Sequence, residues 1–286
     1  MGSDRYSRQV LAFGREGQAG IASSRVGIVG LGGLGSQAAQ GLAYLGVRDF
    51  VLVDDDLVEE SNLNRLIGAV PADAASARKV DVAERLVRAV QPGADVETVG
   101  LNLRSTEALR ALTSCPVIFG CVDHDGPRLI LMELAAAYGA TLIDCASDIN
   151  VEDGQLREFG GRVVVSPAGE FCLDCAGEID REVAKAELES PLTQEVRRAH
   201  GYGLGRHGPS PSVVCINGVV ANLAVTEFLA MAAGVRKPTG HLVYYGLRGG
   251  RVNVREAKRP DDCYTCGYLA HQGDGADIFR YANPDG

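Results

Sequence analysis

The chain has 286 residues, 46% hydrophobic and 23% charged, enough for a sizeable core in one large or two small domains. Its 28 Lys and Arg against 37 Asp and Glu give a formal charge of −9, which argues against a nucleic-acid partner held by bulk electrostatics. No basic stretch followed by an apolar run opens the chain, so a cytoplasmic location is expected, and there eight cysteines point to metal or catalysis before disulfides.

Residues 1–24 hold Arg5-Tyr6-Ser7-Arg8-Gln9 and then a small-residue helix pattern ending near Ser24. Val26, Ile28 and Val29 form the short apolar run of a buried parallel strand. Gly30, Gly32 and Gly35 follow at Gly-x-Gly-x-x-Gly spacing, with Gly33 between them, and Ser36–Gly46 reads as a helix. Such glycines permit a tight turn, a phosphate against bare backbone and close helix–strand packing, and the helix N-terminus supplies free N–H groups. A second strand, Phe50–Asp54, ends in a carboxylate where a ribose hydroxyl would lie. In a chain with 36 Gly the motif alone recurs by chance, but strand, helix and acid agree here on a nucleotide.

The alternation continues with a helix over Lys79–Val90 and a strand over Asp95–Val99. Next come a helix capped by Ser105, a strand over Val117–Cys121, a helix over Arg128–Tyr138 and a strand over Thr141–Cys145. This rhythm predicts an α/β fold, a Rossmann-like and mainly parallel sheet with helices on both faces and ligands at the strands' carboxyl ends. After about residue 150 the pattern changes. Gln155–Phe159 and Gly161–Ser166 read as two short antiparallel strands joined by Gly-Gly, and residues 176–211 as a polar crossover or lid. The apolar run Val213–Ala233, broken by Asn217, Asn222 and Glu227, reads as a buried helix rather than a membrane span. Strands are expected around His241–Tyr245 and Arg251–Arg255, and a loosely held tail from Gly273.

Two constellations carry chemistry. Asp54-Asp55-Asp56 and Ser61-Asn62-Leu63-Asn64-Arg65 lie just past the second strand. A dehydrogenase has no use for Arg65 there, whereas a triphosphate would draw on both Arg65 and Lys79. Asp123, past another strand end, suits Mg²⁺ held beside phosphates. The second constellation is Cys172-x-x-Cys175 with Cys263-x-x-Cys266, four thiolates for a tetrahedral Zn²⁺ that clips distant segments together and leaves no open position for catalysis. Cys115, Cys121 and Cys145 are expected in the core.

In order, Arg5-Tyr-Ser-Arg8-Gln, the Gly30–Ser36 turn, Asp54-x-Asp56, Ser61-Asn-Leu-Asn-Arg65, Lys79, Asp123 and the cysteine pairs resemble the ThiF/MoeB/HesA family, bacterial relatives of ubiquitin-activating E1 enzymes. The resemblance covers essentially the whole chain and makes residues 1–286 one adenylation domain, with a nucleotide-binding half at 1–150 and a crossover, zinc and substrate-facing half at 151–286. It implies ATP, Mg²⁺ and structural zinc, a homodimer, and adenylation of the C-terminal carboxylate of a ubiquitin-like or sulfur-carrier protein, with no membrane partner. By the same resemblance Asp54 holds the ribose, Asn62, Arg65 and Lys79 orient the triphosphate, Asp123 meets magnesium, and Arg8 reaches the neighbouring subunit's ATP site.

The chain departs from the family at Arg65-Leu66, where Arg-Gln is usual, and at Asp123-His124, where Asp-Asn is frequent; His124 is read as a solvated loop residue. The crossover has no cysteine to take the acyl group onward, and the apolar flanks of Cys215 favour burial, so the chemistry is expected to stop at the acyl-adenylate. Arg197, Arg198, His200, Arg206 and His207 would guide a substrate tail or simply form a solvated basic face. Rival readings are adenylation of a short peptide, an NAD-dependent dehydrogenase, and an inactive E1-like subunit.

Overall fold

The computed structural model describes residues 5–190, 193 and 211–283. One eight-stranded sheet runs in the order β3-β2-β1-β4-β5-β6-β7-β8. Its strands are β1 (Arg25–Val29), β2 (Asp49–Val53), β3 (Asp95–Val99), β4 (Val117–Gly120), β5 (Thr141–Glu152), β6 (Gln155–Pro167), β7 (His241–Tyr245) and β8 (Arg251–Val254). The first five pair in parallel and the last three antiparallel. Sequence order reverses between β1 and β4, the place where open α/β sheets take their ligands.

Helices α1 (Ser7–Ala22), α2 (Gly33–Leu45), α3 (Lys79–Val90), α4 (Thr106–Leu112), α5 (Asp125–Ala137), α6 (Leu173–Ala176), α7 (Arg181–Leu188) and α8 (Val214–Ala232) complete the described regular structure, with short 3₁₀ and π turns. Side chains alternate across the strands, so two cores form. Val26, Ile28, Phe50 and Leu52 face α2, α3 and α8 on one side, while Val29, Val51, Val53 and Ile118 face α4 and α5 on the other. α8 is long and apolar enough to cross a membrane by composition, yet Ile216, Val220, Ala224 and Phe228 are buried, the helix packs on α2, β5 and β6, and the reading as a core helix holds.

Three expectations are corrected. The Gly-Gly at 160–161 does not separate two strands: β6 runs unbroken past it and pairs along the whole of β5, which itself extends to Glu152. A Cβ at Gly160 would lie 2.1 Å from the Tyr244 carbonyl oxygen and one at Gly161 2.4 Å from that of Ala146, so these glycines serve close approach of neighbouring backbone. Nor is the tail loose as far as Asn283. Ile278 is fully buried, and Glu133 of α5 accepts bonds from Arg280 and the Tyr281 hydroxyl. The helix after the glycine turn, finally, begins at Gly33 rather than Ser36.

Candidate active site

β1, β2 and β4 bring their carboxyl ends together, and the expected residues sit on the loops that leave them. Gly30 holds φ +84°, a left-handed turn, and its amide donates to the Val53 carbonyl at 3.0 Å. A Cβ at Gly35 would come within 1.9 Å of the Gly30 carbonyl oxygen, so only glycine lets α2 start that close to β1. Gly32 has φ −72° and open space where a Cβ would stand. The 13-residue α2 therefore starts at the sheet edge with no side-chain cap among the described residues and no acidic side chain in its first turn.

Asp54 braces this turn. Its carboxylate accepts from the Leu31 amide at 2.6 Å and from the Asp56 amide at 2.9 Å. Burial pushes its pKa up, while Lys79 and those two amides pull the other way. Lys79 opens α3 and pairs with Asp56 at 2.6 Å; its side chain is 13% exposed against 64% for Asp56.

The 60–67 segment folds back over the glycines because the buried Ser36 hydroxyl accepts from the Ile67 amide at 3.0 Å. Arg65 thereby lies over the turn, its Cδ 3.5 Å from a Cβ position at Gly33, and its guanidinium donates to the Ser61 carbonyl and Asn64 Oδ1. Asn62 is buried and shapes its own loop, accepting from the Glu59 amide at 3.1 Å. Past β4, the Cys121 amide donates to the Val29 carbonyl at 2.8 Å and Asp123 stands in the open at 92% side-chain exposure. His124 is exposed as expected and sits 3.3 Å from Glu187 of α7.

Glycine turn, Asp54, Asp56, Asn62, Arg65, Lys79 and Asp123 thus gather at one rim. Arg8 does not join them. It is exposed on the first turn of α1, beside Tyr6, which packs on Gly46 at the far end of α2. Thirteen residues of helix span about 20 Å, so Arg8 lies roughly that far from its own glycine turn.

One positioning residue escaped sequence reasoning. Asn217 of α8 is 2% exposed; its Nδ2 would be 2.1 Å from a Cβ at Gly33, its Oδ1 accepts from the Ser147 hydroxyl and its Nδ2 donates to the Ser212 hydroxyl. A lone amide near the start of an apolar helix was the available signal.

The cysteine pairs meet. Sγ–Sγ separations among Cys172, Cys175, Cys263 and Cys266 are 3.5, 3.6, 3.5 and 3.8 Å for four of the pairs. Sulfurs about 2.3 Å from a tetrahedral zinc stand ~3.8 Å apart, so the donor set fits that ion. Arg181 tightens the cage from outside, bonding Asp174 at 2.9 Å and the Thr265 hydroxyl at 2.8 Å. Of the other cysteines, Cys115 and Cys145 are buried as expected, Cys121 is only half-buried, and Cys215 is exposed in the first turn of α8. The expectation for Cys215 fails because Val213 and Val214 beside it are themselves 43% and 37% exposed. Arg197, Arg198, His200, Arg206 and His207 lie outside the described residues.

The ThiF family profile matches residues 6–266. The chain belongs to the ThiF family. Sulfur carrier protein ThiS adenylyltransferase of Escherichia coli is 30% identical over 92% of this chain and 94% of its own length. Molybdopterin-synthase adenylyltransferase of the same organism is 29% identical over 92% and 96%. A SAMP-activating enzyme E1 of Haloferax volcanii is 36% identical over 60% of this chain and 61% of its length. The ThiF-family chain is accordingly an E1-like adenylyltransferase. Its fold is also that of E. coli MccB, solved with AMPCPP and MccA, at TM-score 0.71 and 18% identity over 93% of this chain and 75% of that one.

Proposed function

We propose that the chain uses MgATP to adenylate the C-terminal carboxylate of a ubiquitin-like or sulfur-carrier protein. A carboxylate oxygen attacks the α-phosphorus, the bond from that phosphorus to the bridging oxygen breaks, and pyrophosphate leaves. One observation carries this reading: a glycine turn with a helix N-terminus that no described side chain caps is flanked by two cations, Arg65 and Lys79, and faced by the exposed carboxylate of Asp123. The nucleophile and the phosphates repel each other. In our reading Arg65, Lys79 and the α2 amides offset that repulsion and take up charge on the leaving group. No general base is needed, since the carboxylate is ionised near neutral pH. Magnesium, which suits one or two carboxylates plus phosphate oxygens, would be held by Asp123 and would neutralise phosphate charge. Asp54 is assigned to the ribose with whatever acceptor capacity its two amide bonds leave, and Asp56 holds Lys79 in place until phosphate competes for it.

The distance of Arg8 from its own turn supports a homodimer in which Arg8 of the partner subunit completes each site. The α1–α2–α8 face supports it too: Leu11 is 88% exposed and Tyr44 57%, beside a cavity lined by Gln9, Gln37, Tyr44 and Thr226. We assign zinc to the Cys172–Cys175–Cys263–Cys266 cage as a closed clip. We read residues 1–286 as one adenylation domain, since a single sheet runs through both halves. Eight cysteines without a disulfide, together with ATP use, support a cytoplasmic location. Identities of 30% and 28% to two enzymes named as sulfur carrier protein adenylyltransferases favour a protein tail over a short peptide.

Intact-mass spectrometry of candidate carrier proteins and peptides incubated with the enzyme and MgATP tests this. An AMP adduct on a carrier C-terminus is expected. Adducts on short peptides alone would move the substrate class, and NAD turnover without any adduct would sink the reading.

A further inference from the structure

Arg128 occupies a place that neither local rule favours. It lies in the first turn of α5, where a cation opposes the helix dipole, and the residue is only 9% exposed. Buried charges are costly unless their partners are well placed, and they seldom outdo apolar side chains of similar volume as a source of stability. Its contacts show what it holds. Nη2 donates to the Val122 carbonyl at 2.7 Å, Nη1 faces Asp125 Oδ1 at 3.4 Å, and Nε faces Asp144 Oδ2 at 3.5 Å.

Asp144 is fully buried, and its other oxygen accepts from Arg162, which in turn pairs with Glu178 at 2.7 Å. Gly120, at the end of β4, leaves room for this carboxylate: a Cβ there would lie 3.2 Å from Asp144 Oδ2. An ion pair at 3.5 Å, without a hydrogen bond between Nε and Oδ2, thus ties Arg128 to the antiparallel half of the sheet, while its one short bond ends on a backbone carbonyl. That carbonyl shares a rigid peptide plane with the Asp123 amide. On its other side the loop abuts the glycine turn, where a Cβ at Gly30 would meet the Cys121 carbonyl oxygen at 2.6 Å and Val122 Cγ1 at 3.4 Å.

We propose that Arg128 is a positioning residue of the adenylation site, clamping the Val122–Asp123 peptide from below so that the exposed Asp123 carboxylate meets magnesium in one fixed orientation. The proposal rests on the assignment of Asp123 to magnesium. Among the described residues Asp123 has no hydrogen bond to fix its side chain, and the imidazole of His124 stands 3.8 Å away. Its direction is set by the backbone that carries it, and Arg128 sets that backbone.

The test compares Arg128→Lys, Arg128→Met, Asp123→Asn and the double variant Arg128→Lys/Asp123→Asn. Binding of a non-hydrolysable ATP analogue is measured by calorimetry across a magnesium series, beside ATP–pyrophosphate exchange and melting temperature. Lysine reaches one of the three partners but not all of them. Loss of a side chain that orients a metal ligand typically costs about 10- to 100-fold in metal affinity or activity. Arg128→Lys is therefore expected to raise the magnesium concentration for half-maximal analogue binding about tenfold and to lower exchange kcat, in a protein that still folds but melts at a somewhat lower temperature. In the Asp123→Asn background the same change should add nothing.

A normal magnesium dependence in folded Arg128→Lys, with Asp123→Asn impaired, overturns the proposal alone. Full additivity in the double variant also overturns it, because a purely structural role would damage both backgrounds. Should Asp123→Asn itself bind magnesium and analogue as the wild type does, the proposal falls together with the reading of Asp123 beneath it. If Arg128→Met does not fold, Arg128→Lys decides.

Discussion

Two glycines three residues apart should fail in different ways when given a methyl group. At Gly32 the backbone has φ −72° and none of the described residues lies within 4 Å of a Cβ position, so alanine there meets no atom of theirs. Replacing glycine where the conformation is tolerated gains about 0.4–1 kcal/mol through the unfolded chain. Gly32→Ala should thus melt at or slightly above the wild-type temperature. Yet the methyl group would fill the space in front of the α2 N-terminus where phosphate approaches backbone. Loss of one charge-assisted bond of about 1.5–3 kcal/mol weakens ATP binding by ~10- to 150-fold. At Gly35 the new Cβ would sit 1.9 Å from the Gly30 carbonyl oxygen, well over an ångström too close and against backbone that cannot rotate aside. Gly35→Ala should lose about 1–3 kcal/mol of stability as well as nucleotide affinity. Calorimetric melting paired with ATP titration separates the two. Wild-type ATP affinity in Gly32→Ala would show that phosphate does not approach the turn there and would refute the reasoning.

Further outcomes follow from the same geometry. Asp123→Ala and Lys79→Ala should each lower pyrophosphate exchange by about 10²- to 10³-fold with little change in melting; undiminished exchange removes that residue from the mechanism. Mixing Arg8→Ala chains with Asp123→Ala chains should restore roughly a quarter of wild-type exchange if half of the dimers are mixed and each carries one intact site; no recovery would rule out action across the interface. Metal analysis should find one zinc per chain, and a strong chelator or Cys263→Ser should lower the melting temperature, each ~1 kcal/mol lost being worth about 2–4 °C. An unchanged melt would make the cage dispensable. Burial lowers the pKa of His241, with Glu178 opposing and Arg255 and Arg162 reinforcing that shift. The folded state therefore resists protonation that the unfolded chain accepts near pH 6.5, and stability should fall as pH drops below that value, by up to about 1.4 kcal/mol per unit. His241→Gln should flatten that fall in a urea-melt series, and an identical slope would absolve the imidazole.

Much of the nucleotide half was legible because its signals are local. Apolar runs of four or five residues, a turn that needs glycine at Gly30 and Gly35, and polar residues just past strand ends each depend on neighbours within a few positions. What escaped depended on partners far along the chain. Gly160 and Gly161 read as a turn because glycine usually marks one, whereas the reason for them is the Tyr244 and Ala146 carbonyl oxygens on adjoining strands. The tail looked loose because its acceptor, Glu133, lies 147 residues before Arg280. Asn217 and Arg128 each broke a local rule, an amide in an apolar helix and a cation in a helix's first turn. Those breaches mark the places where the site is braced. Cys215 shows the converse, since apolar sequence neighbours suggested burial on a helix end that faces outward.

The separation of the two cysteine pairs bears on how the protein is made. Cys172 and Cys263 meet across 91 positions, so during translation the first pair leaves the ribosome well before the second exists. At about 5–20 residues per second that interval is on the order of 4–20 s. A nascent chain can hold no closed cage until Cys266 has emerged, so a zinc ion bound there would be captured long after the first pair is made. Ribosome-stalled chains ending before Cys263 should accordingly show the same protease sensitivity with or without zinc.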